Sequence, residues 1–373
     1  MTPRIMLLAG EASGDTHGAG VVRALKARYP DSHFIGFGGP LMQAEGVELM
    51  MGLEQLAVMG FAEVVFRLPF FWKLERRVQR LLDGGTIDLV IPIDYPGFNL
   101  RAARSAHRRG IPVLYYIAPQ VWAWKPGRAA LLAEYADRLA VILPFEQQIF
   151  EAAGAAVTFV GHPLLEQSRP EETELDFRRR WSLHAKGPLL ALMPGSRRHE
   201  IDRHLDIFVR AAALAREKRP DLQPVLARAS SVPLNALDGT GLPVVEDARS
   251  LLTFSRAALV KSGTGTLEAA LEGTPFVTVY RTHPLTYALA RRLMHTDSIG
   301  LVNLVAGETI VPEVIQQDAT PERLAGLLGP LLAESSRERA EMVERLGRVR
   351  GSLGSAGASE RVAALAAELL NSV

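Results

Sequence analysis

The chain crowds four residues able to bind ligands or move protons into one short segment: Glu11, Ser13, Asp15 and His17. Glycines at 10, 14, 18 and 20 punctuate it. Glycine lets backbone approach a ligand, and a helix starting here would turn its amides toward an anion. The spacing is not the Gly-x-Gly-x-x-Gly of dinucleotide sites, which argues against a nicotinamide cofactor. A tight turn capped by Ser13 or Asp15 is the structural alternative. The polarity exceeds what a cap needs, so a site is favoured. Asp94 opens a second constellation, Asp-Tyr-Pro-Gly-Phe-Asn at 94–99, directly after an apolar run. A carboxylate there can face a cleft, although an Asp before Pro-Gly also simply makes a turn.

Other stretches suit a sugar nucleotide. In Pro194-Gly195-Ser196-Arg197 small residues admit phosphate oxygens and Arg offers a bidentate hydrogen bond; a solvated surface Arg is the plainer reading. Lys261-Ser262-Gly263-Thr264-Gly265-Thr266-Leu267-Glu268 runs from a strand pattern through a Gly/Thr loop into a helix pattern. Amides at that helix start would hold a diphosphate, and Glu268 could accept two ribose hydroxyls; an acid favourably paired with the dipole of the first turn is the alternative. Asn303, Glu313 and Gln316, in the polar stretch 298–317, could finish the pocket. Trp122 and Trp124 precede Lys125 and Arg128. Tryptophans usually pack, while the two cations suit an anionic group such as a lipid phosphate. No Asp-x-Asp, His-Glu-x-x-His or paired His cluster occurs, so neither a cofactor nor a protein-bound metal is expected. His162 reads as structural or as part of a hinge.

Residues 66–80 hold five basic side chains (Arg67, Lys73, Arg76, Arg77 and Arg80) against one acidic, Glu75. Helical spacing puts Phe71, Leu74, Val78 and Leu81 on one core face. Phe66, Leu68, Phe70 and Trp72 are left without a partner there, beside Lys73. Aromatics flanked by cations suit an anionic membrane surface, with a dimer contact as the alternative.

These residues sit at the ends of short apolar runs. Strands are expected at 4–9, 33–37, 88–93, 112–117, 138–143 and 157–160, with helical patterns such as 19–29 and 71–82 between them. The runs alternate little, as parallel strands covered on both faces do. After the charged stretch 166–180 the pattern restarts, with strands expected at 188–193, 223–227, 257–261 and 275–280. The expectation is two similar doubly wound α/β domains, 1–165 and 166–345, then a helical tail, 346–373, which could pack on the first domain. A chain of 373 residues with 48% hydrophobic and 22% charged residues suits two globular cores. With a net charge of +1 it is not a polyanion binder, so no nucleic-acid partner is expected. The absence of cysteine excludes disulfides and a thiol nucleophile, and no run reaches the roughly 18 apolar residues of a membrane span.

Taken in order, seven blocks resemble the lipid-A-disaccharide synthase family: 9–15, 93–99, 121–124, 143–146, 194–197, 262–268 and 303–307. They read Ala-Gly-Glu-Ala-Ser-Gly-Asp, Ile-Asp-Tyr-Pro-Gly-Phe-Asn, Val-Trp-Ala-Trp, Leu-Pro-Phe-Glu, Pro-Gly-Ser-Arg, Ser-Gly-Thr-Gly-Thr-Leu-Glu and Asn-Leu-Val-Ala-Gly. The resemblance implies a GT-B fold, two Rossmann-like domains facing a cleft. It also implies inverting transfer from UDP-2,3-diacylglucosamine to the 6-hydroxyl of 2,3-diacylglucosamine 1-phosphate, giving a β-1,6 disaccharide 1-phosphate and UDP. The family works peripherally on the cytoplasmic face of the inner membrane, and its members can form homodimers that exchange C-terminal domains.

By position the resemblance makes Asp94 the aspartate needed for activity, Arg197 the arginine after the Gly-Ser turn and Glu268 the nucleotide-contacting glutamate. Asn303 and Gln316 match the rest of the donor pocket, with Ser196, Gly263, Thr264, Gly265 and Thr266. On that basis Asp94 is the expected base and His17 the runner-up. Glu11, Ser13, Asp15, Asn99, Trp122 and Lys125 would hold the acceptor. Gly97 departs from relatives that carry a second Asp there. A UDP-sugar epimerase and a non-catalytic sugar-nucleotide module remain as alternatives.

Overall fold

The computed structural model describes residues 2–53, 68–123, 125–167, 170–283, 287 and 298–372, without the side chain of Leu68. Phe66, Arg67 and Trp124 lie outside the described residues. The chain divides into two compact units, Met1–Glu166 with Gly354–Val373, and Gln167–Leu353.

Unit 1 is a seven-stranded parallel sheet in the order β3-β2-β1-β4-β5-β6-β7. Its strands are β1 (Arg4–Ala9), β2 (His33–Gly38), β3 (Glu48–Gly52), β4 (Leu89–Ile93), β5 (Leu114–Tyr116), β6 (Arg138–Val141) and β7 (Val157–Phe159). Strand order reverses between β1 and β4, and ligands of such sheets bind beyond the carboxyl ends at that switch. Successive residues of β1 serve opposite faces. Met6 and Leu8 pack with α3 (Leu68–Asp83), α4 (Pro96–His107), α5 (Arg128–Tyr135) and α6 (Glu146–Ala152). Ile5, Leu7 and Ala9 pack with α1 (Ala12–Arg28) and α14 (Ala358–Asn371). The short α2 (Pro40–Ala44) follows β2.

Helix α14 returns the C-terminus to unit 1. Glu166 accepts hydrogen bonds from Ser359 N–H at 2.6 Å and Ser359 Oγ at 2.7 Å, and Arg361 Nε donates to the Val160 carbonyl at 2.8 Å. The expected tail start at 346 falls inside α13 (Arg337–Ser352), which belongs to unit 2. An uninterrupted helix spans that position, and the chain leaves unit 2 only at Leu353–Gly354.

Unit 2 is a six-stranded parallel sheet in the order β10-β9-β8-β11-β12-β13. It contains β8 (Leu189–Met193), β9 (Gln223–Ala227), β10 (Val244–Val245), β11 (Ser255–Lys261), β12 (Phe276–Tyr280) and β13 (Glu313–Ile315). Its helices before α13 are α7 (Glu174–Arg180), α8 (Arg198–Lys218), α9 (Ala248–Phe254), α10 (Thr264–Glu272), α11 (Leu301–Ala306) and α12 (Pro321–Leu332). Here the switch lies between β8 and β11, the strands that carry the Gly-Ser-Arg and Gly-Thr-Gly-Thr loops. Among the described residues no helix is long and apolar enough to cross a membrane.

Candidate active site

The carboxyl end of β4 in unit 1 holds unusual backbone. Asp94 and Tyr95 take consecutive left-handed conformations, with φ of 48° and 49°. Each costs a non-glycine residue roughly 1–2 kcal/mol and persists only where its surroundings enforce it. Here they do. Asp94 N–H donates to the Tyr116 carbonyl at 3.0 Å, and the Asp94 carbonyl accepts from Asn99 Nδ2 at 2.7 Å and the Tyr115 hydroxyl at 2.9 Å. Pro96 opens α4 with its φ preset. Gly10 makes room for the Tyr95 ring, since a β-carbon there would lie 2.4 Å from it.

Charged and polar groups gather around this turn. Burial raises the Tyr115 phenol well above its ordinary pKa, the Asp94 charge pushes it further and Arg128 opposes. Glu146, the first residue of α6, is buried; Oε1 accepts from Trp122 Nε1 at 3.3 Å and Oε2 from Leu143 N–H at 3.1 Å. Burial pushes its pKa up to about 7 against those hydrogen bonds, and Asp94 adds to the rise. Trp122 also meets Phe145 edge to face, with centroids 5.4 Å apart. Burial and then the Glu11 charge raise the Tyr95 pKa, against Arg101, so Glu11 belongs to the same neighbourhood. Glu11 and Ser13 are exposed at the start of α1, and Lys125 is exposed with a left-handed φ of 56°. His17 is half-buried, and burial lowers its pKa to about 4. It is neutral near pH 7. His162, buried with a pKa of about 3, accepts Leu164 N–H at Nδ1 and has a structural part.

Two of the expected acceptor residues are buried and bonded to backbone. Asp15 is 3% exposed, and its carboxylate accepts the amides of Gly39, Leu41 and Met42 at 2.8–3.1 Å, capping α2. Asn99 is buried as well; Nδ2 donates to Leu8, Ile93 and Asp94 carbonyls, tying the ends of β1 and β4 together. Both fasten the loops at this end of the sheet.

In unit 2 the two glycine loops sit on neighbouring strands. Gly195 and Gly263 have φ of 136° and 149°, which other residues rarely adopt. Ser196 N–H donates to Glu200 Oε2 at 2.9 Å, and the Ser196 carbonyl accepts from Ser231 Oγ at 2.7 Å. Arg197 is the N-cap of α8. Gly263 plays that part for α10, with Thr264 exposed and Gly265 half-buried behind it. Thr266 is buried, and its hydroxyl donates to the Gly263 carbonyl at 2.7 Å, bracing the turn. Because α10 starts at Thr264, Glu268 is its fifth residue and lies past the first turn, which weakens the dipole explanation. Glu268 is half-buried, and burial raises its pKa against Arg249.

Asn303 and Gln316 are buried and bonded to neighbouring groups as well. Asn303 is buried with its amide saturated: Oδ1 accepts from Ile310 and Val311, and Nδ2 donates to the Val311 carbonyl and to Glu313. Glu313 accepts in addition the amides of Ile299 and Gly300. Gln316 exchanges two hydrogen bonds with the backbone of Thr282. Glu313 and Gln316 thereby fasten Ile299, Gly300 and Thr282 to the end of β13.

Sequence alone assigned no role of their own to Glu146, Glu200, His204 and Lys261. Glu200, His204 and Phe208 recur every four residues on the buried face of α8. Polar residues on an apolar stripe were the available signal.

A model of the family described as "Lipid-A-disaccharide synthetase" matches residues 5–366. The chain belongs to the lipid-A-disaccharide synthetase family. Relatives named lipid-A-disaccharide synthase include one from Geobacter sulfurreducens, 41% identical over 98% of this chain and 97% of its own length. Another, from Myxococcus xanthus, is 40% identical over 99% of this chain and 98% of its own. Among solved structures, a putative UDP-N-acetylglucosamine 2-epimerase from Listeria monocytogenes superposes with TM-score 0.69 at 14% identity, covering 100% of this chain and 98% of that one. A calicheamicin glycosyltransferase gives 0.63 at 20%, covering 100% and 99%. The two parallel-sheet units thus form a GT-B fold. The lipid-A-disaccharide synthetase family makes the chain a disaccharide-forming glycosyltransferase of lipid A biosynthesis, with a UDP-sugar donor and a sugar-phosphate acceptor.

Proposed function

We propose that this chain moves the diacylglucosamine of UDP-2,3-diacylglucosamine to the 6-hydroxyl of 2,3-diacylglucosamine 1-phosphate, with inversion. Asp94 takes the hydroxyl proton as the oxygen attacks the anomeric carbon and UDP departs from the opposite side. A positioned base of this kind is worth about 10²–10⁴ in rate. Glu11, Ser13, Trp122 and Lys125 hold the acceptor, with His17 nearby as a neutral proton acceptor. On the donor side Arg197, Ser196 and the amides around Gly263–Gly265 take the diphosphate charge that grows in the transition state. Glu268 binds the ribose. The observation that carries this reading is the enforced pair of left-handed residues, Asp94 and Tyr95, at the strand-order switch of unit 1. Strain of that kind concentrates at functional sites.

Work at a membrane surface is part of the proposal. On α3, Leu74, Val78 and Leu82 are buried, whereas Trp72 is 65% exposed beside exposed Lys73, Arg76, Arg77 and Arg80. Phe70 is only half-buried and packs on the core and on Phe71, so Trp72 and the cations carry the patch among the described residues. An aromatic with several cations suits the anionic headgroups of the cytoplasmic face of the inner membrane. A homodimer with exchanged C-terminal domains is part of the same proposal.

UDP release and disaccharide formation from the two acylated substrates test the reading directly. An epimeric UDP-sugar from donor alone, with no disaccharide when acceptor is added, would replace transfer with epimerisation.

A further inference from the structure

Strand β11 ends on Lys261, whose side chain turns inward. Its Nζ donates to Glu200 Oε1 at 2.6 Å, and the two side chains are only 19% and 10% exposed. The other oxygen of Glu200 accepts Ser196 N–H at 2.9 Å. One carboxylate therefore fastens the turn after β8 to the end of β11. Gly195 leaves space for it, and Gly263 lies close by. A β-carbon on Gly195 would meet Glu200 Cβ at 2.5 Å and Oε2 at 2.7 Å, and one on Gly263 would come 3.7 Å from Lys261 Nζ. The ammonium thus stands beside the Gly263 turn, where the first amides of α10 lack helical partners.

A third loop hangs on the same helix face. His204 Nδ1 lies 2.8 Å from the Glu200 carbonyl, and Nε2 accepts Arg281 N–H at 3.0 Å, so the ring is the neutral tautomer that donates from Nδ1. Burial works against the Glu200 carboxylate, but Lys261 and the Ser196 amide outweigh it and hold its pKa below the ordinary range. Buried ion pairs add little net stability over apolar packing, so stability alone does not account for this one. An ammonium has three N–H donors, and Glu200 occupies one.

We propose that Lys261 binds the diphosphate of the donor and that Glu200 is the positioning residue that aims it, an assignment resting on the UDP-sugar reading of this unit. Lys261 supplies charge from the strand side of the Gly263 turn, in addition to Arg197 and the α10 amides. Glu200 keeps the long, flexible lysine from swinging away when the pocket is empty.

Calorimetry of UDP and uridine with the full-length protein, Lys261→Met, Lys261→Arg and Glu200→Gln tests this. Lys261→Met is expected to weaken UDP on the order of tenfold, the scale of one charge-assisted hydrogen bond, to flatten its salt dependence, and to leave uridine within about twofold. Lys261→Arg should recover part of the loss. Glu200→Gln should weaken UDP less than Lys261→Met does, again sparing uridine. Equal losses for UDP and uridine would make the pair a structural strap and overturn the assignment, as would unchanged UDP affinity in Lys261→Met. A wild-type protein that binds no UDP fails the donor-site reading itself, a separate result.

Discussion

Asp94 and Glu268 are read as acting at different steps, and single substitutions separate them. Asp94→Ala should lower kcat by about 10²–10⁴ and leave UDP affinity unchanged, because a base contributes to transfer and not to nucleotide binding. Turnover within tenfold of wild type would remove Asp94 from the mechanism. Glu268→Ala should weaken UDP by tenfold or more, since two ribose hydroxyls lose their shared acceptor, and titration calorimetry reads this directly. Gly10 adds a check on the strained turn. Gly10→Ala would drive a methyl group into the Tyr95 ring, so loss of activity with UDP binding intact would show that the Asp94 conformation matters as well as its carboxylate.

At the scale of elements, α3 and α14 are opposite cases. Leu370 on α14 is buried in the face shared with α1, so Leu370→Ala should cost unit 1 about 2–5 kcal/mol, read as a lower midpoint in denaturant. Trp72→Ser should cost almost no stability, because the ring is in solvent, yet it should reduce co-sedimentation with anionic vesicles. A variant that still pellets fully would exclude Trp72 from the membrane contact. The edge strands β3, β10 and β13, which are short or open on a glutamate, were not expected, whereas the inner strands were legible in the sequence because parallel strands covered on both faces are plain apolar runs. The loops after them were legible through Gly-rich spacing and through the family blocks. What each polar side chain does there was not. For Asp15, Asn99 and Asn303 the sequence shows polarity but not the distant amides and carbonyls that they bond, such as Gly39 for Asp15 or Leu8 for Asn99. Glu146 and Glu200 were missed for the converse reason: an acid in a helix's first turn looks like a solvated cap until the fold buries it.

The whole molecule carries an imbalance of buried titratable groups that makes its acid stability predictable. In unit 1, His17 and His162 have pKa values lowered to about 4 and about 3, while Glu146 is raised to about 7. A histidine with a lowered pKa leaves the unfolded chain as the better proton binder below about pH 6.5, so its effect on stability is lost as pH falls. Glu146 has the opposite sign: the fold takes up its proton first, so that group contributes most at low pH and its contribution fades as pH rises through about 7. Between about pH 5 and 6.5 the two histidines outweigh the one carboxyl by one proton, or roughly 1.4 kcal/mol of lost stability per pH unit. Removing the counterweight with Glu146→Gln should about double that slope, and His162→Gln should bring it near zero. Denaturant midpoints of unit 1 across this range read both. An unchanged slope for Glu146→Gln would mean that its carboxyl is already ionised in the fold, so that burial beside Asp94 does not hold its proton.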